Sequence, residues 1–425
     1  MAPRDLPLGQ QVHAMLKGSG QDAAQQHALG LGLPDVFDRV QAVAFEEPVP
    51  SFLHSALCAM SLPVRRPADD TAPIIRQDGQ YTLAITPRPV LQRIDGQQQM
   101  SILGVPYGSL PRLVLIHIMT EAVRTRTRHI VLGSTFTDWM RRMGFRSVSY
   151  GPRGSATLIR QQLDRLLACE WTIRWDSEGA EGNKGFAVKE VKLTNEYAGT
   201  TARNGGFSRE ILLTEGFFDH LREHAVPLDE NAVRQIRDSA TSLDLYTWLS
   251  YRLPRINKTR PTLISWPQLA VHFGNEGNNV RKFRQTIREA WERHVSAVYP
   301  EARAEFDTTA IRLYASPAPL ARRPLRLVTG TTQAESVPIA TTNDTELLPD
   351  FLTKLREILG ATHAKHWLDD AAMEDQPDGP AALGAGSKFK ADYIRRTFTL
   401  EINRAASACR LDASPCIVAR RRPLP

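Results

Sequence analysis

The 425-residue sequence predicts an α+β fold in which one order of helices and strands is used twice and a smaller unit follows. Three observations predict it. The order helix, short strand, helix, helix, β-hairpin can be read from residue 109 and again from residue 238. The third helix of the second copy, within "NNVRKFRQTIREAWERHV" (278–295), is loaded with cations on its outer side. A stretch rich in Thr, Ala and Ser at 331–348 carries no periodicity and reads as a linker to a last unit.

Residues 1–75 form an N-terminal extension, mixed in pattern and rich in Pro and Gly, with one modest helix near "PSFLHSALCAM". The first module spans 76–225. "QYTLAITPRPV" is a strand, and "SLPRLVLIHIMTEAVRT" (109–125) is a helix opened by Ser and Pro. "HIVLG" is a short strand, and "STFTDWMRRMG" is a short helix closed by Gly. The longer helix "SATLIRQQLDRLLACEW" buries Ile159, Leu163, Leu166 and Leu167 at helical spacing. "TIRWDS" and "GFAVKEVKLTNEY" alternate as two strands of one hairpin. This is the order of a winged helix-turn-helix.

The second module spans 226–330 and repeats the pattern without repeating the residues. "DSATSLDLYTWLSYRL" is its first helix, "PTLIS" a strand and "WPQLAVHFG" a bracing helix. The cationic helix follows, and "RAEFDTTAIRLYASP" supplies two strands and the wing. The last unit spans 349–409, with a helix at "LPDFLTKLREIL", another near "THAKHWLDD", a Gly/Pro/Asp-rich loop, and a helix at "DYIRRTFTLEINRAA". Residues 410–425 read as a basic tail, whose end "VARRRPLP" is expected to be disordered.

The net charge is +7, and the hydrophobic and charged fractions, 42% and 23%, exclude a wholly disordered chain. Residues 251–330 hold 14 Lys and Arg against 6 Asp and Glu, so this block accounts for the whole excess. Localised positive charge is the electrostatic footprint of a polyanion partner, and no strongly apolar face for lipid accompanies it. Four cysteines without a CxxC pair fit a reducing cytoplasm, and neither a signal peptide nor a membrane span is predicted.

Within the cationic helix, Val280, Phe283, Ile287, Trp291 and Val295 form an apolar stripe. Arg281, Lys282, Arg284, Gln285 and Arg288 fall off it, with no carboxylate before Glu289. In a helix-turn-helix the N-terminal half of this helix lies nearest the bases. Arginine can grip guanine, glutamine can pair with adenine, and the remaining cations can neutralise phosphates. Arg255, Lys258 and Arg260 before the module, and Arg312 on its wing, are expected to hold the DNA backbone. In the first module the candidates are Arg153, Arg160, Gln161 and Arg165, with Lys184, Lys189 and Lys192 on the hairpin. Leu158, Leu166 and Cys169 suit either a core or a self-association surface.

The motif "GVPYGSLPRLVLIHIMTEAVRT…VLGSTFTDWMRRMGF…LIRQQLDRLLAC" resembles the plasmid RepA replication initiators. So does "DLYTWLSYRL…PTLISWPQLAVHFG…VRKFRQTIREAWERHVSAVYPEARAEF…IRLYASP", and together the two cover about residues 50–320. The resemblance implies a protein that binds repeated sequences (iterons) at a plasmid origin, opens adjacent duplex and takes part in copy control. It implies that the second winged helix reads the repeat and the first combines backbone contact with self-association. The last unit, through "FLTKLREIL…HWLDDA…LGAGSKFKADYIRRTFTLEINRA", is similar to the N-terminal domain of the chromosomal initiator DnaA, which implies a small α/β unit that recruits the host replicative helicase and DnaA. Trp367, Phe389 and Tyr393 stand where that domain carries partner-binding aromatics, while Phe351 stands where it commonly has Trp.

Catalytic patterns are weak. "HLREH" offers His220, Glu223 and His224 in an HxxEH arrangement, but the sequence shows no third ligand and a polar linking helix is expected. There is no His-x-His pair and no GxxxxGK[ST] loop. The expectation is a cytoplasmic bacterial protein that is not an enzyme, uses no cofactor or metal, and acts on double-stranded origin DNA. A winged-helix transcriptional repressor at its own operator is the competing interpretation.

Overall fold

The computed structural model describes residues 6–78, 81–94, 96–132, 136–145, 147–178, 184–191, 193–201, 207–274, 279–322, 325, 351–358, 368, 371–376, 379–385, 402, 405–406, 408–409 and 416–419. They fall into two compact units divided near residue 330.

The first unit opens with three helices, α1 (Leu8–Ser19), α2 (Gln21–Gly30) and α3 (Pro34–Ala44), in a region where the sequence suggested a single helix further on. Val12, Leu16, Ala24, Ala28, Val36, Phe37 and Val40 form their shared core. Next, β1 (Pro50–His54) runs into the short helix α4 (Ser55–Ala59). Then come β2 (Ile74–Asp78), β3 (Tyr81–Pro87) and the ribbon β4 (Pro89–Ile94) and β5 (Gln97–Ile102).

The first winged helix follows in the expected order: α5 (Ser109–Thr125), β6 (His129–Val131), α6 (Phe136–Arg142) and α7 (Ser155–Ala168). Ile159, Leu163, Leu166 and Leu167 are buried, as their spacing predicts. The wing departs from expectation. The strand β7 (Cys169–Glu178) starts where α7 stops, and β8 (Lys184–Val191) pairs with it. A separate hairpin, β9 (Thr194–Thr201) and β10 (Phe207–Leu213), pairs with β6. Two sheets result, β2-β3-β7-β8 and β6-β10-β9, in place of one hairpin. Alternation alone carried the prediction across Lys192 without a break, although the run is longer than one strand.

A helix, α8 (Glu215–His224), and β11 (Ala225–Asp229), which pairs with β1, lead through α9 (Glu230–Ile236) to the second winged helix. This is α10 (Ala240–Arg252), β12 (Thr262–Ser265), α11 (Trp266–Phe273), α12 (Val280–Ala290), α13 (Ser296–Val298), β13 (Ala304–Phe306) and β14 (Ala310–Leu313). A π-helical turn at Trp291–Val295 joins α12 to α13. The sheet order β12-β14-β13 is that of a winged helix. Trp248, Trp291, Tyr246 and Tyr299 are fully buried in it.

One continuous hydrophobic core runs through both modules. Between them Arg112 of α5 clasps Asp244 of α10 through two 2.6 Å hydrogen bonds, and its remaining donors reach the carbonyls of Leu62, Pro63 and Gly108. Burial outweighs the arginine and raises the Asp244 carboxyl.

In the second unit residues 351–358 are helical, and β15 (Ala372–Gln376), β16 (Gly379–Ala385) and β17 (Cys416–Ala419) form one sheet. Phe351, Leu355, Leu383 and Ile402 lie in its core. Two expectations are corrected here. The Gly/Pro/Asp-rich segment is a hairpin whose strands flank the tip, and β17, inside the expected tail, pairs in parallel with β16.

Candidate nucleic-acid interface

Helix α11 starts on a capping box: the Ser265 hydroxyl accepts from the Gln268 N–H at 3.3 Å, and the Gln268 side chain accepts from the Ser265 N–H at 2.8 Å. It ends at Gly274, whose φ of 75° a side chain would resist. Helix α12 begins on Asn279, whose side-chain oxygen accepts from the Lys282 N–H at 3.0 Å. Its inner side is Ile287, Ala290 and, within the π turn that follows, Trp291 and Val295, all buried, with Phe283 half-buried edge-on to Trp266. Val280 leaves the predicted stripe. It is 46% exposed because the helix starts beyond the edge of the core beneath it.

Arg281, Lys282, Gln285 and Arg288 point into solvent. None of them carries a side-chain hydrogen bond or an ion pair among the described residues. Arg281, Arg284, Gln285 and Arg288 line one shallow depression, closed on the far side by Glu289 and Glu292. Arg284 differs: its Nη1 donates to the Thr308 carbonyl at 2.7 Å and ties the helix to the wing. The wing is a tight acidic turn. Asp307 Oδ1 accepts from the Thr308 N–H, and Trp266 Nε1 donates to the Asp307 carbonyl at 3.1 Å. Arg312 lies 3.5 Å from both Glu305 and Asp307, so its charge is already balanced.

The other candidates are placed apart. The Arg255 guanidinium lies over Tyr251 at 4.3 Å, donates to the Tyr251 carbonyl at 2.6 Å, and lines a different cleft. Lys258 and Arg260 are exposed on the turn after it. In the first module Arg153 and Gln161 are exposed, and Arg160 stacks over Phe136 at 5.3 Å. Arg165 turns inward, 2.6 Å from Asp70 and 3.0 Å from the Val105 carbonyl, where its charge holds a loop. Leu166 and Cys169 are core, while Leu158 is 40% exposed. Trp367, Phe389, Tyr393 and Lys192, and the side chains of Lys184 and Lys189, lie outside the described residues.

The HxxEH segment acquires a neighbour that the sequence did not indicate. His54 Nε2 meets His220 Nδ1 at 2.7 Å, and the His220 and His224 rings are 4.2 Å apart beside a cleft of about 310 Å³. His54 Nδ1 accepts from the Ala56 N–H at 3.1 Å as the cap of α4, which puts the proton of a neutral ring on Nε2 and commits it to His220. The arrangement is a hydrogen-bonded chain, and no cluster among the described residues has the geometry to hold a metal ion. Burial pushes the Cys58 thiol up and that of Cys169 up to about 12, so neither offers a thiolate at neutral pH. No described helix is long and apolar enough to cross a membrane.

Residues 105–268 match a family model described as plasmid encoded RepA protein. The match runs from the loop before α5 into α11 and stops short of α12. No curated protein matches the chain. Among solved structures, the crystal structure of SeMet derivatives of domain 2 and domain 3 of RctB aligns at 11% identity and a TM-score of 0.37, covering 61% of this chain and 99% of that one. That likeness is too loose to bear on function.

Proposed function

With the RepA-type segment at residues 105–268 as premise, we propose that the chain is a plasmid replication initiator whose second winged helix reads repeated sequences at the origin. The observation that carries this reading is the solvent face of α12. Arg281, Lys282, Gln285 and Arg288 stand there without a side-chain hydrogen bond or close ion pair among the described residues, Arg288 having only the nearby carboxylate of Glu292, on the third helix of a helix-turn-helix. Charged side chains on a folded surface usually mix signs or pair with neighbours. A row of cations at 281–288, with the carboxylates only at its far end, matches phosphate neutralisation and guanine readout.

Arg281, Lys282, Gln285 and Arg288 are the proposed readers, while Arg284 positions the helix against the wing. Arg153 and Gln161 are the proposed backbone contacts of the first module, beside a self-association role that Leu158 would serve. Opening of the duplex beside the repeats would draw on binding energy spent on deformed DNA. The C-terminal unit is proposed to recruit host helicase and DnaA through Trp367, Phe389 and Tyr393.

The test is a titration of the full chain on DNA flanking its own gene, against a scrambled duplex of equal length, with permanganate probing of the bound complex. Preferential binding to a repeated segment, with reactive thymines in an adjacent A·T-rich stretch, is expected. Equal affinity for both duplexes would refute the reading.

A further inference from the structure

The helical segment that continues the proposed reading helix is held by the first helix of the chain. Helix α12 passes without a break through the π turn into α13, and α1 packs across that join. The first two N–H groups of α1 have no partner within their own helix. Here the Leu8 N–H donates to Glu292 Oε2 at 3.0 Å and the Gly9 N–H to Ser296 Oγ at 3.0 Å. His13 Nε2 meets the Ala297 carbonyl at 2.7 Å, and Gln10 Nε2 donates to the Ala302 carbonyl at 2.6 Å. From α3, Asp35 lies 3.5 Å from Arg293. Gly9 packs backbone to backbone on Ala297, where any β-carbon would collide with the Ala297 main chain.

The place gripped matters. A π turn holds one residue more than an α turn, and such turns are rare and frequently occur at functional sites. Reverting it to α geometry would rotate the residues after it by about 100° relative to those before. With the turn in place, Ile287, Trp291 and Val295, spaced by four, all stay buried while Arg281, Gln285 and Arg288 face out. Of the residues that α1 holds, Glu292 lies within that turn and Ser296 and Ala297 follow it directly. The other side of the same turn is held by α10, whose Ser242 hydroxyl bonds His294 Nδ1 at 2.6 Å. A helix clamped on two sides at its base has a fixed direction and rotation at its tip.

We propose that α1–α3 form a clamp that aims α12, and that Gly9, Glu292 and Ser296 are positioning residues for base reading. The proposal rests on α12 being the helix that enters DNA. A clamp of this kind governs discrimination between sequences. It leaves general attraction to phosphate alone, because the cations remain on the helix when its aim is lost.

The experiment uses the full chain, a duplex selected by the wild-type protein from a random library, and a scrambled duplex of the same length. The variants are Gly9→Val, Glu292→Ala with Ser296→Ala, and the conservative Glu292→Gln, which keeps an acceptor for the Leu8 N–H. Melting curves establish that each is folded at the assay temperature. Because Glu292 stands beside Arg288, the reference for the double variant is Glu292→Gln, which lacks the same charge. Relative to it the double variant is expected to lose roughly tenfold in affinity for the selected duplex, about 1.4 kcal/mol, with the same scrambled-duplex affinity and salt slope. Gly9→Val, which keeps that carboxylate, should show the same selective loss relative to wild type, and Glu292→Gln should keep the wild-type ratio of selected to scrambled affinity. Equal losses on both duplexes, or an unchanged affinity for the selected one, would overturn the clamp. Should Arg281→Ala, run in parallel, change neither affinity nor salt slope, the reading of α12 falls and the clamp with it.

Discussion

Arg281 and Arg284 are one turn apart on α12, yet only Arg284 is engaged within the protein, through the Thr308 carbonyl. They should fail differently. Arg281→Ala is expected to lower the salt slope of binding by about 0.9 if it meets one phosphate. Arg284→Ala should leave the slope unchanged and blunt sequence preference, as a titration on paired duplexes would report. The buried Arg112–Asp244 pair makes a second prediction. Asp244→Ala strands a buried guanidinium and should cost about 3–5 kcal/mol in denaturant unfolding, whereas replacing both partners by apolar residues should cost far less. His13 makes a third. Burial lowers its imidazole from 6.5 to about 4, so the unfolded chain takes up a proton that the folded chain refuses between those values. The His13 contribution to stability is therefore expected in full above pH 6.5 and lost as pH falls toward 4. His13→Gln should make that part of the melting-temperature profile shallower, leaving the share of His117, which burial also lowers to about 4. None of these pairings is visible in the sequence, where Arg284 and Arg281 look equivalent and Arg165 looks as available as Arg153. Which arginine meets a carboxylate depends on partners such as Asp70, far from Arg165 in the chain.

At the scale of elements, local signals sufficed wherever a segment caps itself. "SWPQ" contains the whole start of α11, and Ser265→Ala is expected to cost about 1 kcal/mol, measurable by thermal unfolding. Helices α5, α10, α11 and α12 could be read because their apolar spacing and end residues agree. The failures have equally local causes. Helix α2, "QDAAQQHALG", buries only two alanines, so no stripe announced it, and Gly20 and Gly32 punctuate the region like loop residues. The tip "PDG" in the last unit looked like a loop because Pro, Asp and Gly are turn formers, although a turn between two alternating stretches is a hairpin signal. The break between β8 and β9 came from sheet pairing: β9 belongs with β10 and β6, a choice that alternation does not encode.

At the scale of the molecule, the repeated winged-helix order was legible, but the way the modules are tied together was not. The Leu8–Glu292 bond spans 284 residues, and the His54–His220 contact joins a cap of α4 to a helix between the modules. Contacts of this range leave no pattern in one sequence, because neither partner's neighbours change period or composition. Charge did scale up. Part of the basic block of 251–330 ends as an exposed row on one helix, whereas Arg252, Arg255, Arg284, Arg293, Arg312 and Arg322 are wholly or partly spent inside the protein. The exposed row on α12 is the proposed reader of DNA. That role is tested most directly by the salt dependence of binding to a wild-type-selected duplex, comparing the wild type with Arg281→Ala/Arg288→Ala. A slope shallower by about 1.8, as expected when two phosphates are no longer neutralised, together with weaker binding is the predicted result. An unchanged slope and affinity would contradict the account and send the search for the DNA-binding surface to the first module.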